Sequence, residues 1–184
     1  MWRWLGALFL ILPSLAVADA IVPICYGYGC LVQDDIHYSD ARLGEIRRQL
    51  NAAVDAKNER KILADVIGQL YAWAGEQSAI RNDRGGNYAD GVGSGKMDCI
   101  DHSVSTTRLL ELLVWRGDLR WHRVLAVDVR YWALLFPAHY SAVIEEIGAG
   151  EAGRFVVDSW FVDNGQPAVI LPLAEWKKGA GPDV

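Results

Sequence analysis

Residues 95–113 read GKMDCIDHSVSTTRLLELL, and this stretch decides how the rest of the chain is interpreted. A glycine-rich approach ends at Gly95, and the apolar residues that follow have the spacing of an amphipathic helix. Asp98 is a good N-cap residue, and Asp101 stands three positions later, where an acid suits the first turn. The sequence therefore predicts a helix that begins at Cys99.

Cys99 thus occupies the first position of the predicted helix. Unpaired backbone N–H groups and a partial positive charge at a helix N-terminus favour a thiolate over a thiol. We therefore expect a lowered pKa for the Cys99 thiol and treat it as a candidate nucleophile. The alternative is that Cys99 is a small apolar residue of the core, which is where free cysteines are usually found.

The composition is that of a globular domain. A length of 184 residues favours one domain, and 52% hydrophobic residues are enough for a substantial core. The net charge is −5, and the sequence contains no run of lysines or arginines. This charge pattern argues against nucleic acid as a partner.

Residues 1–20 predict a cleaved secretory signal peptide. Arg3 gives a positively charged start, residues 5–17 form an apolar region, and residues 18–20 (ADA) fit the small-x-small cleavage rule. Thirteen residues in the apolar region are few for a membrane span, which needs roughly 20, but an uncleaved anchor is the alternative. We expect a single mature domain over residues 21–184, periplasmic or secreted, without membrane contact after cleavage.

The cysteines agree with export. Cys25 and Cys30 lie close together around two glycines, and in an oxidising compartment they are predicted to form a disulfide. Two free thiols or a metal site are the alternatives, although His37 is the one further ligand nearby in the sequence. Cys99 is left without a neighbouring partner.

The first part of the chain predicts helices. Apolar residues at helical spacing indicate helices over residues 41–56 and 59–76, with an interruption at Asn58. Residues 21–37 look irregular apart from a short strand near residues 30–32. A glycine-rich loop leads from the second helix to Cys99.

The second part of the chain predicts strands. Gly117 ends the cysteine-bearing helix, and the pattern then changes to one typical of antiparallel strands. These strands are predicted at residues 121–129, 139–145, 154–160 and 168–171. The order of elements predicts an α+β fold with the helices packed on one face of an antiparallel sheet.

A cysteine nucleophile needs a base, and the base needs an orienting group. His139 begins one predicted strand and Asp158 lies near the end of the next, so a hairpin places them side by side at one edge of the sheet. The alternatives are a solvent-exposed His139 and an Asp158 that is paired elsewhere. An acid within an apolar strand is unusual, which favours the pairing.

Other histidines are weaker candidates. His102 lies three residues after Cys99 and could serve as the base or, with a neighbouring acid, as a metal ligand. A zinc site needs about three protein ligands, so a packed or hydrogen-bonded helix residue is the simpler interpretation of His102. His37 and His122 are interpreted as surface residues or local caps.

Three short segments carry a family resemblance. Residues 97–103 (MDCIDHS), 139–143 (HYSAV) and 155–159 (FVVDS) resemble the transglutaminase-like cysteine protease superfamily, including its bacterial exported members. That family has a cysteine at a helix start, a histidine that opens a strand and an aspartate on the following strand. The similarity covers roughly residues 60–165.

The resemblance implies a papain-like or transglutaminase-like core and a thiol acyl-transfer reaction. Cys99 would be the nucleophile, His139 the general base and Asp158 the residue that orients His139. With water as acceptor the enzyme is a cysteine protease or amidase that acts on a protein or peptide, and with an amine it is a transglutaminase. A non-catalytic peptide- or protein-binding module with the same fold is the alternative from another class.

The resemblance also bears on the oxyanion hole and on cofactors. The backbone N–H of Cys99 would supply one oxyanion donor, and Gln77 is a candidate for the second. The predicted reaction needs no cofactor. Some bacterial members bind calcium through acids that flank the cysteine; Asp98 is such an acid here, whereas Ile100 occupies the other flank. The sequence leaves the substrate and the oligomeric state open.

Overall fold

The computed structural model describes residues 19–86, 94–131 and 138–182. Within these ranges the chain is an α+β fold of four α-helices and two antiparallel sheets. The helices are α1 (Asp40–Asn51), α2 (Ala56–Gly75), α3 (Cys99–Trp115) and α4 (Leu173–Lys177). The strands are β1 (Ala20–Tyr26), β2 (Val32–Tyr38), β3 (His122–Arg130), β4 (His139–Glu146), β5 (Arg154–Asp158) and β6 (Val169–Pro172).

The predicted order of helices and strands is confirmed in its main features. α3 begins at Cys99, and β3, β4, β5 and β6 form a four-stranded antiparallel sheet in chain order. Most of the predicted signal peptide (residues 1–18), residues 87–93 of the predicted loop and residues 132–137 lie outside the described residues. None of the described helices is both long and apolar enough to cross a membrane.

The prediction of irregular structure over residues 21–37 is wrong. β1 and β2 form an antiparallel hairpin in which Val22 pairs with Ile36. Pro23 lies within β1 and the paired residue of β2 is Asp35, and both residue types are depleted in strands. Local sequence signals therefore do not predict this hairpin, which is stabilised by burial of its apolar residues against α3.

The break between the first two helices also lies earlier than predicted. It spans residues 52–55 instead of falling at Asn58. Asp55 is the N-cap of α2, and its side chain accepts a hydrogen bond of 2.6 Å from the backbone N–H of Asn58. Asn58 is consequently a residue of the first turn of α2, where its N–H needs a partner outside the helix.

The core is built around α3, which packs against both the β1–β2 hairpin and the four-stranded sheet. Its buried leucines belong to one continuous apolar cluster with α1, α2 and both sheets. The cluster contains many leucines and isoleucines that are fully buried, among them Leu63, Ile67, Leu70, Leu109, Leu113 and Ile144. Cys99 therefore begins a helix whose position is fixed by the core.

The prediction that the helices lie on one face of the sheet is incomplete. Val143 and Val156 point away from the main cluster and form a second buried cluster with Trp176 of α4. Because successive side chains of a strand point to opposite faces, the central strands need cover on both sides. α4 supplies this cover and brings the indole of Trp176 to the sheet.

A buried carboxylate joins α2 to the start of β3. Glu59 is fully buried, and its oxygens accept hydrogen bonds from the backbone N–H groups of Arg120 (2.7 Å) and Trp121 (3.1 Å). Its Oε2 also lies 2.6 Å from Nδ1 of His122. The interpretation of His122 as a surface or cap residue is therefore wrong, since this side chain is buried and paired.

The chain enters α3 through a close approach at Gly95. Gly95 has a φ of +83°, and a Cβ atom at this position would overlap the carbonyl group of Ala79. Two residues later, the backbone N–H of Met97 donates to Oδ1 of Asp83 at 2.8 Å. Glycine is needed here both for its left-handed backbone and for the lack of a side chain.

We expect Gly95→Ala to destabilise the fold more than Gly117→Ala. Both glycines have positive φ, which costs an alanine about 1–2 kcal/mol, but no atom lies within 4 Å of a Cβ built on Gly117. Overlap at Gly95 adds about 1–3 kcal/mol. Chemical denaturation of both variants measures the difference in the free energy of unfolding. Equal losses would contradict the close approach.

Candidate active site

The start of α3 is held by a reciprocal pair of hydrogen bonds. Oδ1 of Asp98 accepts from the backbone N–H groups of Ile100 (3.0 Å) and Asp101 (2.8 Å). In return, Oδ2 of Asp101 accepts from the N–H of Asp98 at 3.0 Å. The predicted N-cap is confirmed, and this capping box fixes the backbone on both sides of Cys99.

The same two acids hold the loop between β1 and β2. Asp101 is fully buried and accepts from the backbone N–H groups of Tyr28 (2.8 Å) and Cys30 (2.6 Å), while Oδ2 of Asp98 accepts from Gly29 (2.9 Å). Burial, together with the nearby charge of Asp98, raises the pKa of Asp101 to about 6, against the opposing effect of the N–H donors. The loop and the start of α3 are thus one connected unit.

The predicted disulfide between Cys25 and Cys30 is confirmed. It closes a turn in which Gly27, Tyr28, Gly29 and Cys30 all have positive φ. This backbone is costly for the two residues that are not glycine, and the disulfide and Asp101 both hold it in place. Cys99 is the free cysteine of the chain.

Cys99 is half-buried beside the beginning of β4. Its Sγ donates to the carbonyl oxygen of Ala138 at 3.7 Å and receives a hydrogen bond from the backbone N–H of Tyr140. The sulfur thus contacts the backbone on both sides of His139. The structure therefore brings the start of α3 and the start of β4 together, as the predicted site requires.

The expectation of a lowered thiol pKa is wrong. Burial is the largest influence on Cys99 and raises its pKa above the ordinary value. The negative charges of Asp98 and Asp158 act in the same direction, whereas the backbone N–H groups of Tyr140 and of Cys99 itself oppose them. A thiol, not a thiolate, is therefore the resting form of this side chain near neutral pH.

His139 and Asp158 form the predicted pair. Nε2 of His139 lies 2.8 Å from Oδ2 of Asp158, and both side chains are buried. The antiparallel pairing of β4 with β5 places the start of one strand beside the end of the other. With Nε2 bonded to the carboxylate, Nδ1 is the ring nitrogen left to exchange a proton with another group.

Two further donors hold the carboxylate of Asp158. The indole N–H of Trp176 donates to Oδ2 at 3.0 Å, and the backbone N–H of Trp160 donates to Oδ1 at 3.3 Å. The ring of His139 lies among the rings of Trp160, Phe161 and Trp176, with centroid separations of 4.8, 5.5 and 5.7 Å. The sequence did not suggest the role of Trp176, because α4 reaches the site through the fold.

Other side chains named from the sequence have different surroundings. Nε2 of Gln77 donates to the carbonyl oxygen of His37 (3.0 Å), and Oε1 accepts from the N–H of the same residue (3.0 Å). Gln77 is therefore bound to β2, which argues against its assignment as an oxyanion donor. His102 is buried and bonded to Asp83 and Ser159, in agreement with the simpler interpretation of this residue.

One group of potential metal ligands occurs within residues 19–86, 94–131 and 138–182. It consists of Cys25, Cys30 and Asp101. The two sulfurs are bonded to each other, and both oxygens of Asp101 accept backbone hydrogen bonds. This chemistry does not provide a ligand set for calcium, which prefers six or more oxygen atoms.

No family model, curated protein or solved structure matches this chain. The geometry of the site and the residue types within it are therefore what indicate a function.

We expect Asp98→Asn to shift the alkylation of Cys99 to lower pH. Asparagine is an equally good N-cap, so the helix start is retained while a negative charge that raises the thiol pKa is removed. The measurement is the rate of iodoacetamide alkylation as a function of pH. Asp55→Asn, which alters the N-cap of α2, is the matched control and should leave the profile unchanged. An unshifted Asp98→Asn profile would rule out the charge effect.

Proposed function

We propose that the protein is an exported, cysteine-dependent acyl-transfer enzyme with a papain-like or transglutaminase-like core, most simply a protease or amidase. The observation that carries the proposal is the contact of Cys99 with the backbone around His139, whose Nε2 is bonded to Asp158. These residue types are the nucleophile, the base and the orienting acid that thiol acyl transfer requires, and their closeness supports the proposal.

The first half of the reaction forms a thioester. Nδ1 of His139 takes the proton from the Cys99 thiol as Sγ attacks the amide carbonyl carbon, which gives a tetrahedral oxyanion. The backbone N–H of Cys99 lies at the N-terminus of α3 and is a suitable donor to that oxyanion. His139 then gives the proton to the departing amine, the C–N bond breaks, and the acyl group remains on sulfur.

The second half of the reaction restores the thiol. His139 takes a proton from water, the hydroxide attacks the thioester carbonyl, and the C–S bond breaks to release a carboxylic acid. The sulfur recovers the proton from the imidazolium. With an amine in place of water, the same steps form a new amide, which is the transglutaminase alternative.

The raised thiol pKa makes the base essential. Because Cys99 rests as a thiol, attack on a substrate must be accompanied by proton transfer to His139. The three N–H donors around Asp158 hold its carboxylate in one orientation, and Asp158 in turn fixes the imidazole ring. The raised pKa of this half-buried thiol also favours the second candidate, a peptide- or protein-binding module with an unused triad.

A single comparison distinguishes the two candidates. Wild-type protein and Cys99→Ala are incubated with an extract of exported proteins, and new peptide termini are identified by mass spectrometry. We expect termini that depend on Cys99. Asp158→Asn should lower their rate of formation by about 10²–10⁴-fold, because the base loses its orienting group.

The control for the acid substitution is Asp128→Asn, which alters the ion pair between Asp128 of β3 and Lys177 of α4. This variant should retain wild-type activity. Identical termini from wild-type protein and Cys99→Ala would refute the enzyme, and retention of labelled peptides by both proteins would then support the binding module.

A further inference from the structure

A second buried histidine lies one helical turn beyond Cys99. Nε2 of His102 is 2.9 Å from Oδ2 of Asp83, and Nδ1 is 2.8 Å from Oγ of Ser159. The three side chains are almost completely buried, with 4%, 1% and 5% of their respective residues exposed. This burial excludes a substrate from the group, so its role must be exerted through the residues that it holds.

Asp83 and Ser159 each lie next to a part of the proposed active site. Oδ1 of Asp83 accepts from the backbone N–H of Met97 at 2.8 Å, two residues before Cys99. Ser159 directly follows Asp158 in the chain. His102 therefore connects the entry to α3, α3 itself and the end of β5.

The hydrogen bonds continue beyond Ser159 into the core. Oγ of Ser159 lies 2.9 Å from Oγ1 of Thr106, which lies 3.0 Å from the hydroxyl of Tyr71. Burial raises the pKa of Tyr71 to about 12, so this hydroxyl keeps its proton. Donation from Tyr71 through Thr106 and Ser159 to His102 gives every hydroxyl an acceptor, and the carbonyl oxygen of His102, 3.4 Å from the hydroxyl of Tyr71, is a second acceptor for that hydroxyl.

This direction of donation determines the imidazole tautomer. If Nδ1 of His102 accepts from Ser159, Nε2 carries the hydrogen and donates it to Asp83. Each polar group in this series of hydrogen bonds then has a partner without an additional charge on the imidazole ring. A leucine of similar size would leave a buried carboxylate and a buried hydroxyl each with one partner fewer.

We propose that His102 is a positioning residue for Cys99. By bridging Asp83 and Ser159, it fixes the start of α3 relative to the end of β5. The sulfur of Cys99 is thereby held beside His139 and the paired Asp158. The role in the reaction depends on the proposed function, whereas the effect on the environment of the thiol does not.

The test compares two buried histidines. His102→Leu removes the bridge, and His122→Leu removes a histidine of similar burial that is bonded to Glu59 outside the site. Two quantities are measured for each variant: the pH profile of Cys99 alkylation by iodoacetamide, and the rate at which an activated acyl ester acylates Cys99.

We expect His102→Leu to make Cys99 more reactive towards iodoacetamide at neutral pH and less reactive towards the acyl ester. A displaced thiol is less buried, so its pKa falls and alkylation shifts to lower pH, because burial is the main cause of the raised value. Acylation, which needs alignment with His139, should become slower by about 100-fold. His122→Leu should retain both wild-type values, even where it lowers the thermal stability.

Ser159→Ala is the second variant, since it removes one side of the bridge with little change in volume and keeps the protein testable if His102→Leu does not fold. Like His102→Leu, it should shift the alkylation of Cys99 to lower pH and slow its acylation. Wild-type values in every folded variant of the bridge, or equal shifts in His122→Leu, would overturn the proposal. A shifted alkylation profile in a protein whose wild type is not acylated would refute the proposed enzyme while supporting the positioning role.

Discussion

Three backbone hydrogen bonds accepted by the carboxylate of Asp101 are the constraint on which the site depends. Two come from the β1–β2 loop, through Tyr28 and Cys30, and the third comes from Asp98 at the start of α3. A disulfide closes the same loop. A turn of unfavourable backbone conformation and a helix N-terminus are thereby joined, and Cys99 lies at the junction.

Burial outweighs the helix terminus in determining the state of Cys99. The partial charge at a helix N-terminus contributes about 0.3–1 kcal/mol at an exposed position and up to about 2 kcal/mol at a partly buried one, which is about 1.5 pKa units at most. Desolvation of a buried group reaches several units, and here it is joined by two carboxylates. Position in a helix therefore does not by itself predict an activated thiol, and in the proposed reaction His139 takes the proton that attack releases.

Local patterns predicted most of the fold, including the helix and the strands that carry the three proposed catalytic residues. The helix that begins at Cys99 and the antiparallel strands that carry His139 and Asp158 follow from capping signals and from a change in periodicity. The β1–β2 hairpin was missed because Pro23 and the acids of β2 have low strand propensity, and its burial against α3 is a tertiary effect.

The hydrogen bonds between buried polar side chains could not be predicted from the sequence either, because they too depend on tertiary packing. His102 meets Asp83 and Ser159 through contacts between distant segments, and Trp176 reaches Asp158 because α4 covers the second face of the sheet. No spacing rule links these residues. Their partners are decided by the packing of the whole chain, which local propensity does not contain.

The central claim is that His139 removes the proton from Cys99 during attack on an acyl carbon. The most direct measurement is the rate at which an N-acyl amino acid p-nitrophenyl ester acylates Cys99 at neutral pH, followed by the mass of the Cys99 peptide. We expect His139→Asn to slow this acylation by about 10²–10⁴-fold while the protein stays folded, because the general base is lost. Equal acylation rates for wild-type protein and His139→Asn would contradict it.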